Sequence, residues 1–194
     1  MKRFTILVAG YCAIGAVVAP ALVRPAPRLV WNASASVPIG LYAARSPAGV
    51  RRGDLVAVHA PAAVARLMAE RGYLPPGVPM LKHVAATAGQ TVCRFGARVS
   101  IDGTPVAEAR SHDRNGRPLP VWSGCWTLQD GEVLLLNPAS ASSFDGRYFG
   151  PVAARSITAI LTPLWLPGTA GEGPEAARIS GQPAPNPETK GPSR

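Results

Sequence analysis

Two basic residues, Lys2 and Arg3, open the chain, and the twenty residues from Phe4 to Val23 (FTILVAGYCAIGAVVAPALV) then carry no charge. At 1.5 Å per helical residue that run reaches about 30 Å, the depth of a bilayer's hydrocarbon core. A secretory signal needs only about 7–15 apolar residues, and Ala19-Pro20-Ala21 matches a cleavage site weakly. The pattern therefore predicts an uncleaved membrane anchor, a transmembrane helix over residues 1–23. The alternative is a buried core helix, which is disfavoured for a segment apolar on all sides ahead of the rest of the chain. Residues 24–31 follow as an extended linker stiffened by Pro25 and Pro27, with Trp31 placed to rest at the membrane surface.

Beyond the linker the apolar runs shorten and alternate, each bounded by Gly or Pro. That pattern predicts strands over Asp54–Val58, Met80–Ala86, Thr91–Cys93, Arg98–Ile101, Val106–Ala109, Trp122–Leu128, Glu132–Leu136 and Arg155–Leu164. Asp102-Gly103 is a hairpin signal. One soluble helix is expected, starting at Pro61 and ending at Gly72, with Val64, Leu67 and Met68 as its apolar stripe. From Pro167 the chain turns to Pro, Gly, Glu, Ala and Ser, a composition expected to stay disordered through residue 194. The expected fold is thus mostly β: a small antiparallel domain over residues 32–166 with one short helix, behind the anchor.

Composition narrows the classes. With 21 Pro and 20 Gly in 194 residues, a helical bundle is disfavoured. The net charge of +9 invites nucleic acid or anionic lipid as partner. No run of Lys and Arg exceeds two residues and aromatics make up 6%, which argues against nucleic acid. Cys12 lies in the apolar run. Cys93 and Cys125 lie in the soluble part, and in an oxidising compartment they can form one disulfide. There is no CxxC pair, no Cys/His cluster and no HExxH, so no metal is expected.

Three places carry candidate chemistry. In Asn32-Ala-Ser34-Ala-Ser36-Val-Pro38, two serines two apart share one side of an extended strand, and Pro38 and Gly40 end regular pairing just beyond them. That suits a nucleophile with a hydroxyl donor beside it, and equally a solvated turn. In Met80-Leu-Lys82-His-Val84, Lys82 shares its face with Met80 and Val84. An amine so flanked is poorly solvated, has a lowered pKa and can accept a serine's proton; the alternative is an edge-strand lysine that blocks aggregation. In Ser143-Phe-Asp145-Gly-Arg147-Tyr, Asp145 and Arg147 can brace a corner by pairing with backbone or each other, and Ser143 can hydrogen-bond an amine. A surface ion pair in a turn is the simpler alternative.

Together, these three places resemble the signal peptidase I family of membrane-anchored serine peptidases, and within it the TraF-type conjugative-transfer branch. SVPIGLY, RGYLPPGVPMLKHVAA, GRPLPVW with Gly124-Cys125, and SFDGRYFGPV carry the resemblance, in order, over about residues 32–163. It implies Ser36 as nucleophile and Lys82 as general base. It also implies Ser34 and the Ser36 amide as oxyanion donors, with Ser143, Asp145 and Arg147 supporting the site. The implied fold is a small antiparallel β-sheet, barrel-like catalytic domain, and no cofactor is implied. The implied substrate is an exported precursor with small residues before the scissile bond, a pilin or another component of a conjugative transfer apparatus. The implied partners include the membrane and conjugative pilus assembly proteins. The implied location is the inner membrane, with the catalytic domain on the periplasmic side. Gly146 stands where the family often has Ser, a departure expected only to loosen that turn. The rivals are a housekeeping signal peptidase and a non-enzymatic membrane-tethered β-domain of a secretion machine.

Overall fold

A computed structural model describes residues 2–22 and 28–167. The uncharged run forms helix α1 (Lys2–Leu22), and its side chains from Arg3 to Val18 are exposed. Among the described residues no helix is long and apolar enough to cross a membrane. Linker residues 24–27 and the expected disordered tail beyond Pro167 lie outside the described residues.

The remainder is two antiparallel sheets. The first strands are β1 (Leu29–Asn32), β2 (Gly40–Arg45) and β3 (Leu55–Val58), followed by helix α2 (Ala62–Glu70) and β4 (Met80–Ala86). Then come β5 (Thr91–Phe95), β6 (Arg98–Ile101), β7 (Thr104–Glu108), β8 (Gly124–Thr127) and β9 (Glu132–Leu136). A four-residue helix α3 (Gly146–Phe149), β10 (Val152–Ala153) and β11 (Ile157–Trp165) complete the order. The larger sheet runs β1-β2-β11-β3-β4-β9-β10 and the smaller one β7-β6-β5-β8. Asp102 (φ 50°) and Gly103 (φ 79°) turn β6 into β7 through two left-handed residues, as the Asp-Gly pair requires.

The alternation behind the strand assignments also sets the core. Val56, Val58, Met80, Val84, Val133 and Leu135 pack with Met68 of α2 in one cluster. Val92, Val99, Ile101, Leu134 and Leu136 join the two sheets in another.

Three expectations need correction. The linker does not extend to residue 31, because Leu29–Asn32 pairs along β2. A second helix exists, α3, too short to show a periodicity in sequence. Ser34 and Ser36 lie in a loop rather than on a strand, and pairing resumes at Gly40 instead of ending there. Gly40 sits where a Cβ would lie 2.2 Å from the Trp165 carbonyl oxygen, so only glycine lets β2 run so close to β11.

Candidate active site

The Ser34–Ser36 loop is shaped by a side chain that the sequence reading passed over. Asn32 ends β1 and is buried, and its amide nitrogen donates to the carbonyls of Ser34 (2.8 Å), Val37 (3.1 Å) and Pro38 (2.9 Å). Its carbonyl oxygen accepts from the Ser34 amide (3.0 Å) and the Ser34 hydroxyl (2.9 Å). One buried amide thus fastens the loop that a strand would have held with ladder bonds. The Ser34 and Ser36 hydroxyls stand 3.3 Å apart.

Lys82 lies in β4 between β3 and β9, 4% exposed, with Met80 and Val84 buried on the same face. Its amine is buried rather than solvated, which removes the reading of a lysine that guards an open edge. Burial lowers its pKa to about 8; Asp145 pulls the value up and Arg147 pushes it down. Its amine donates to the Ser143 hydroxyl at 2.7 Å.

Behind Ser143 stands a buried ion pair rather than a surface one. Asp145 is 0% and Arg147 2% exposed, with Arg147 Nε 2.9 Å from Asp145 Oδ1. Asp145 caps α3 by accepting the Arg147 amide (3.1 Å) and also accepts the Asn137 amide (3.0 Å). The guanidinium donates onward to the carbonyls of Ser140 (2.7 Å) and Ser143 (3.1 Å), which fixes the backbone that carries the Ser143 hydroxyl. Asn137 ties this corner to the lysine strand: its amide nitrogen donates to the Leu81 carbonyl (3.0 Å) and its oxygen accepts the His83 amide (3.3 Å). Arg94 of β5, itself buried, donates to the Arg147 carbonyl. Asn32, Asn137 and Arg94 were not found from sequence, where each reads as an ordinary polar residue. An asparagine two residues before Ser-x-Ser was the one available signal.

The structure brings the candidates together. Ser34, Ser36, Lys82 and Ser143 line one cavity of about 780 Å³, while Asp145 and Arg147 lie behind its wall. Ser36 also borders a second cavity of about 370 Å³, lined by Val37, His83, Ile101 and Val106. Among the described residues no group of His, Cys, Asp and Glu could hold a metal ion. Cys93 and Cys125 face each other across β5 and β8 and are joined by a disulfide, with Cα atoms 4.0 Å apart. Cys12 is free and exposed.

Gly146, expected to loosen its turn, does the reverse. A Cβ there would fall 2.8 Å from the Leu135 carbonyl oxygen and 2.8 Å from Leu134 Cδ1, so the missing side chain lets α3 sit directly on β9.

Comparison with known proteins identifies the family. The family model described as signal peptidase, peptidase S26, matches residues 1–165. A plasmid transfer protein TraF of Escherichia coli is 38% identical over 143 residues, covering 69% of this chain and 80% of that protein. A probable conjugal transfer protein TraF of Sinorhizobium fredii is 36% identical over 138 residues, covering 65% and 71%. The crystal structure of a signal peptidase I from Enterococcus faecalis aligns at 21% identity with a TM-score of 0.36, covering 58% of this chain and 97% of that one. A non-enzymatic assembly module is therefore set aside: the chain belongs to the S26 signal peptidases, serine hydrolases, and is of the TraF type.

Proposed function

We propose that this chain is a membrane-anchored endopeptidase of a conjugative transfer system. In this reading Ser36 is the nucleophile and Lys82 the general base, and signal sequences are removed from exported precursors, a pilin among them. The observation that carries it is a buried amine, held by Ser143 and opening into the same cavity as the Ser34–Ser36 pair. The names of the conjugal transfer relatives favour this role over a housekeeping one.

The chemistry follows from the groups in place. A precursor's cleavage region adds as a strand along Met80–Lys82. There β4 has a strand neighbour, β3, on one side only, since β9 pairs from His83 onward. Small side chains before the scissile bond fit against the cavity wall. Ser36 Oγ attacks the carbonyl while Lys82 Nζ takes its proton, and Lys82 then protonates the leaving amine. In the resting geometry Lys82 is bonded to Ser143 and Ser36 to Ser34. Such contacts tighten toward the substrate when it binds. The oxyanion is held by the Ser36 amide and the Ser34 hydroxyl. That hydroxyl has one proton, which Asn32 Oδ1 holds at rest, so it must rotate off Asn32 to donate. Water then hydrolyses the acyl-enzyme.

The anchor is the uncharged run of α1, with the domain on the periplasmic side, where the Cys93–Cys125 bond is stable. Ser36→Ala and Lys82→Ala are each expected to abolish precursor cleavage while circular dichroism shows an intact fold. Substantial cleavage by either variant rejects the assignment.

A further inference from the structure

The cavity that holds Ser36 and Lys82 has a second wall with a different chemistry. Four arginines line it, Arg71, Arg110, Arg114 and Arg117, and the one acidic lining residue is Asp113. Asp113 has no capacity left for a ligand. It accepts from Tyr73 Oη (2.5 Å), Arg117 Nε (2.7 Å), the Arg117 amide (2.9 Å) and the Asn115 amide (2.9 Å). Arg117 is thereby tied into the loop, and its Nη2 donates to the Arg71 carbonyl. Arg71 in turn donates to the Pro118 carbonyl.

Arg110 and Arg114 are differently placed. Both are exposed at the cavity. Arg110 is bonded to the fold through its backbone amide, to Tyr148 Oη. Arg114 gives one donor to Ser142 Oγ at 2.9 Å, and a guanidinium has five. Charge of one sign on a concave wall with low-dielectric backing concentrates its field in the cleft.

We infer that Arg110 and Arg114 form an anion-recognition wall that selects peptides carrying a carboxylate near the cleavage site. This rests on the cavity being the substrate cleft, and it adds a substrate class to that reading. The arginines share the cavity with the reacting groups, which favours a peptide carboxylate over lipid headgroups as the ligand. The carboxylate can be an Asp or Glu side chain or the peptide's C-terminus.

The test is kcat/KM of the full chain in detergent on four matched peptides with an Ala-rich cleavage site. They combine Glu or Gln near the site with a free or an amidated C-terminus. We expect the acidic member of one pair to be preferred about fivefold, the size of one well-placed ion pair at a half-exposed site. The preference should act through KM and shrink as salt is raised. The pair that shows it identifies the source of the carboxylate. In Arg110→Gln/Arg114→Gln the ratio should fall toward one, and because it is a ratio, partial loss of folded enzyme does not mimic it. If none of the peptides is cut by the parent chain, the peptidase reading fails. If all four are cut equally, or the preference survives in the double variant, the anion wall is wrong. It is equally wrong if the double variant loses binding to anionic vesicles but keeps the peptide preference.

Discussion

Lys82 sits in a conflict that its strand position imposes. β4 favours an apolar side chain at that place in the core, and the proposed role as general base needs an amine. Burial resolves it by favouring the neutral form, with a pKa near 8 against the ordinary 10.5. Activity that depends on a neutral Lys82 should rise with pH along a limb centred near 8. A profile of kcat/KM with its ascending limb near 6.5 instead would point to a histidine. The same shift makes a stability prediction. Below about pH 8 the lysine is protonated in both folded and unfolded states, and the burial penalty is fully present. Between about 8 and 10.5 the unfolded chain binds more protons, so stability rises with pH until both forms are neutral. Lys82→Met should remove that rise and stabilise the fold at pH 7 by about 1–3 kcal/mol, while abolishing cleavage. Urea midpoints across pH check it, and equal slopes in parent and variant would refute it. Lys82 was legible in part: apolar neighbours at two-residue spacing suggest burial but leave an edge-strand guard open, and the resemblance to a known family decided between them. Asn32 and Asn137 were not, because an asparagine's sequence context does not reveal that its amide will bridge segments, and Asn137 reaches 56 residues back to Leu81.

At the scale of elements, the strands from β3 onward were largely readable from alternation, and β1, β2, α3 and β10 were not. β1 carries a Leu-Val-Trp run that is half solvent-facing and follows two prolines. α3 is a single turn whose start depends on Asp145 accepting the Arg147 amide. The corner that α3 forms is rigid for a reason opposite to the one its sequence suggested. Gly146→Ser places a Cβ against a backbone carbonyl that cannot give way without moving β9. It should destabilise the domain by about 1–3 kcal/mol, the usual range for overpacking. An unchanged melting temperature would contradict that. The smaller sheet is coupled to the same corner, since Arg94 reaches the Arg147 carbonyl and Trp122 Nε1 donates to the Gly146 carbonyl at 3.0 Å. The Cys93–Cys125 bond closes β5 on β8 across a sequence separation of 32 residues. Cys93→Ser/Cys125→Ser should lower stability by about 3–4 kcal/mol in the loop-entropy model. Reductant should produce the same loss in the parent and no further loss in the variant.

The whole molecule combines a helix, α1, whose described side chains are exposed with a β-domain that carries the core. All four hydrophobic clusters draw on residues between Val30 and Leu166. The first strand begins at Leu29, so a chain starting at Arg28 keeps every pair of β1 with β2. That truncated chain should fold with the parent's core stability, measured by urea denaturation, and should cleave a short soluble peptide with an unchanged kcat. On a precursor embedded in vesicles the outcome should differ. In the proposed role α1 confines enzyme and substrate to one surface and raises their effective concentration, so its removal should cut the rate on embedded precursor at least tenfold. Some surface affinity should persist, because Trp31 and Trp165, stacked 5.9 Å apart, are 55% and 56% exposed on β1 and β11. Exposed tryptophans favour the headgroup region of a bilayer. The ratio of the two rates isolates the contribution of α1 from any damage to catalysis. Equal losses on peptide and embedded precursor would mean that α1 supports the fold rather than the encounter, and its proposed role would fall.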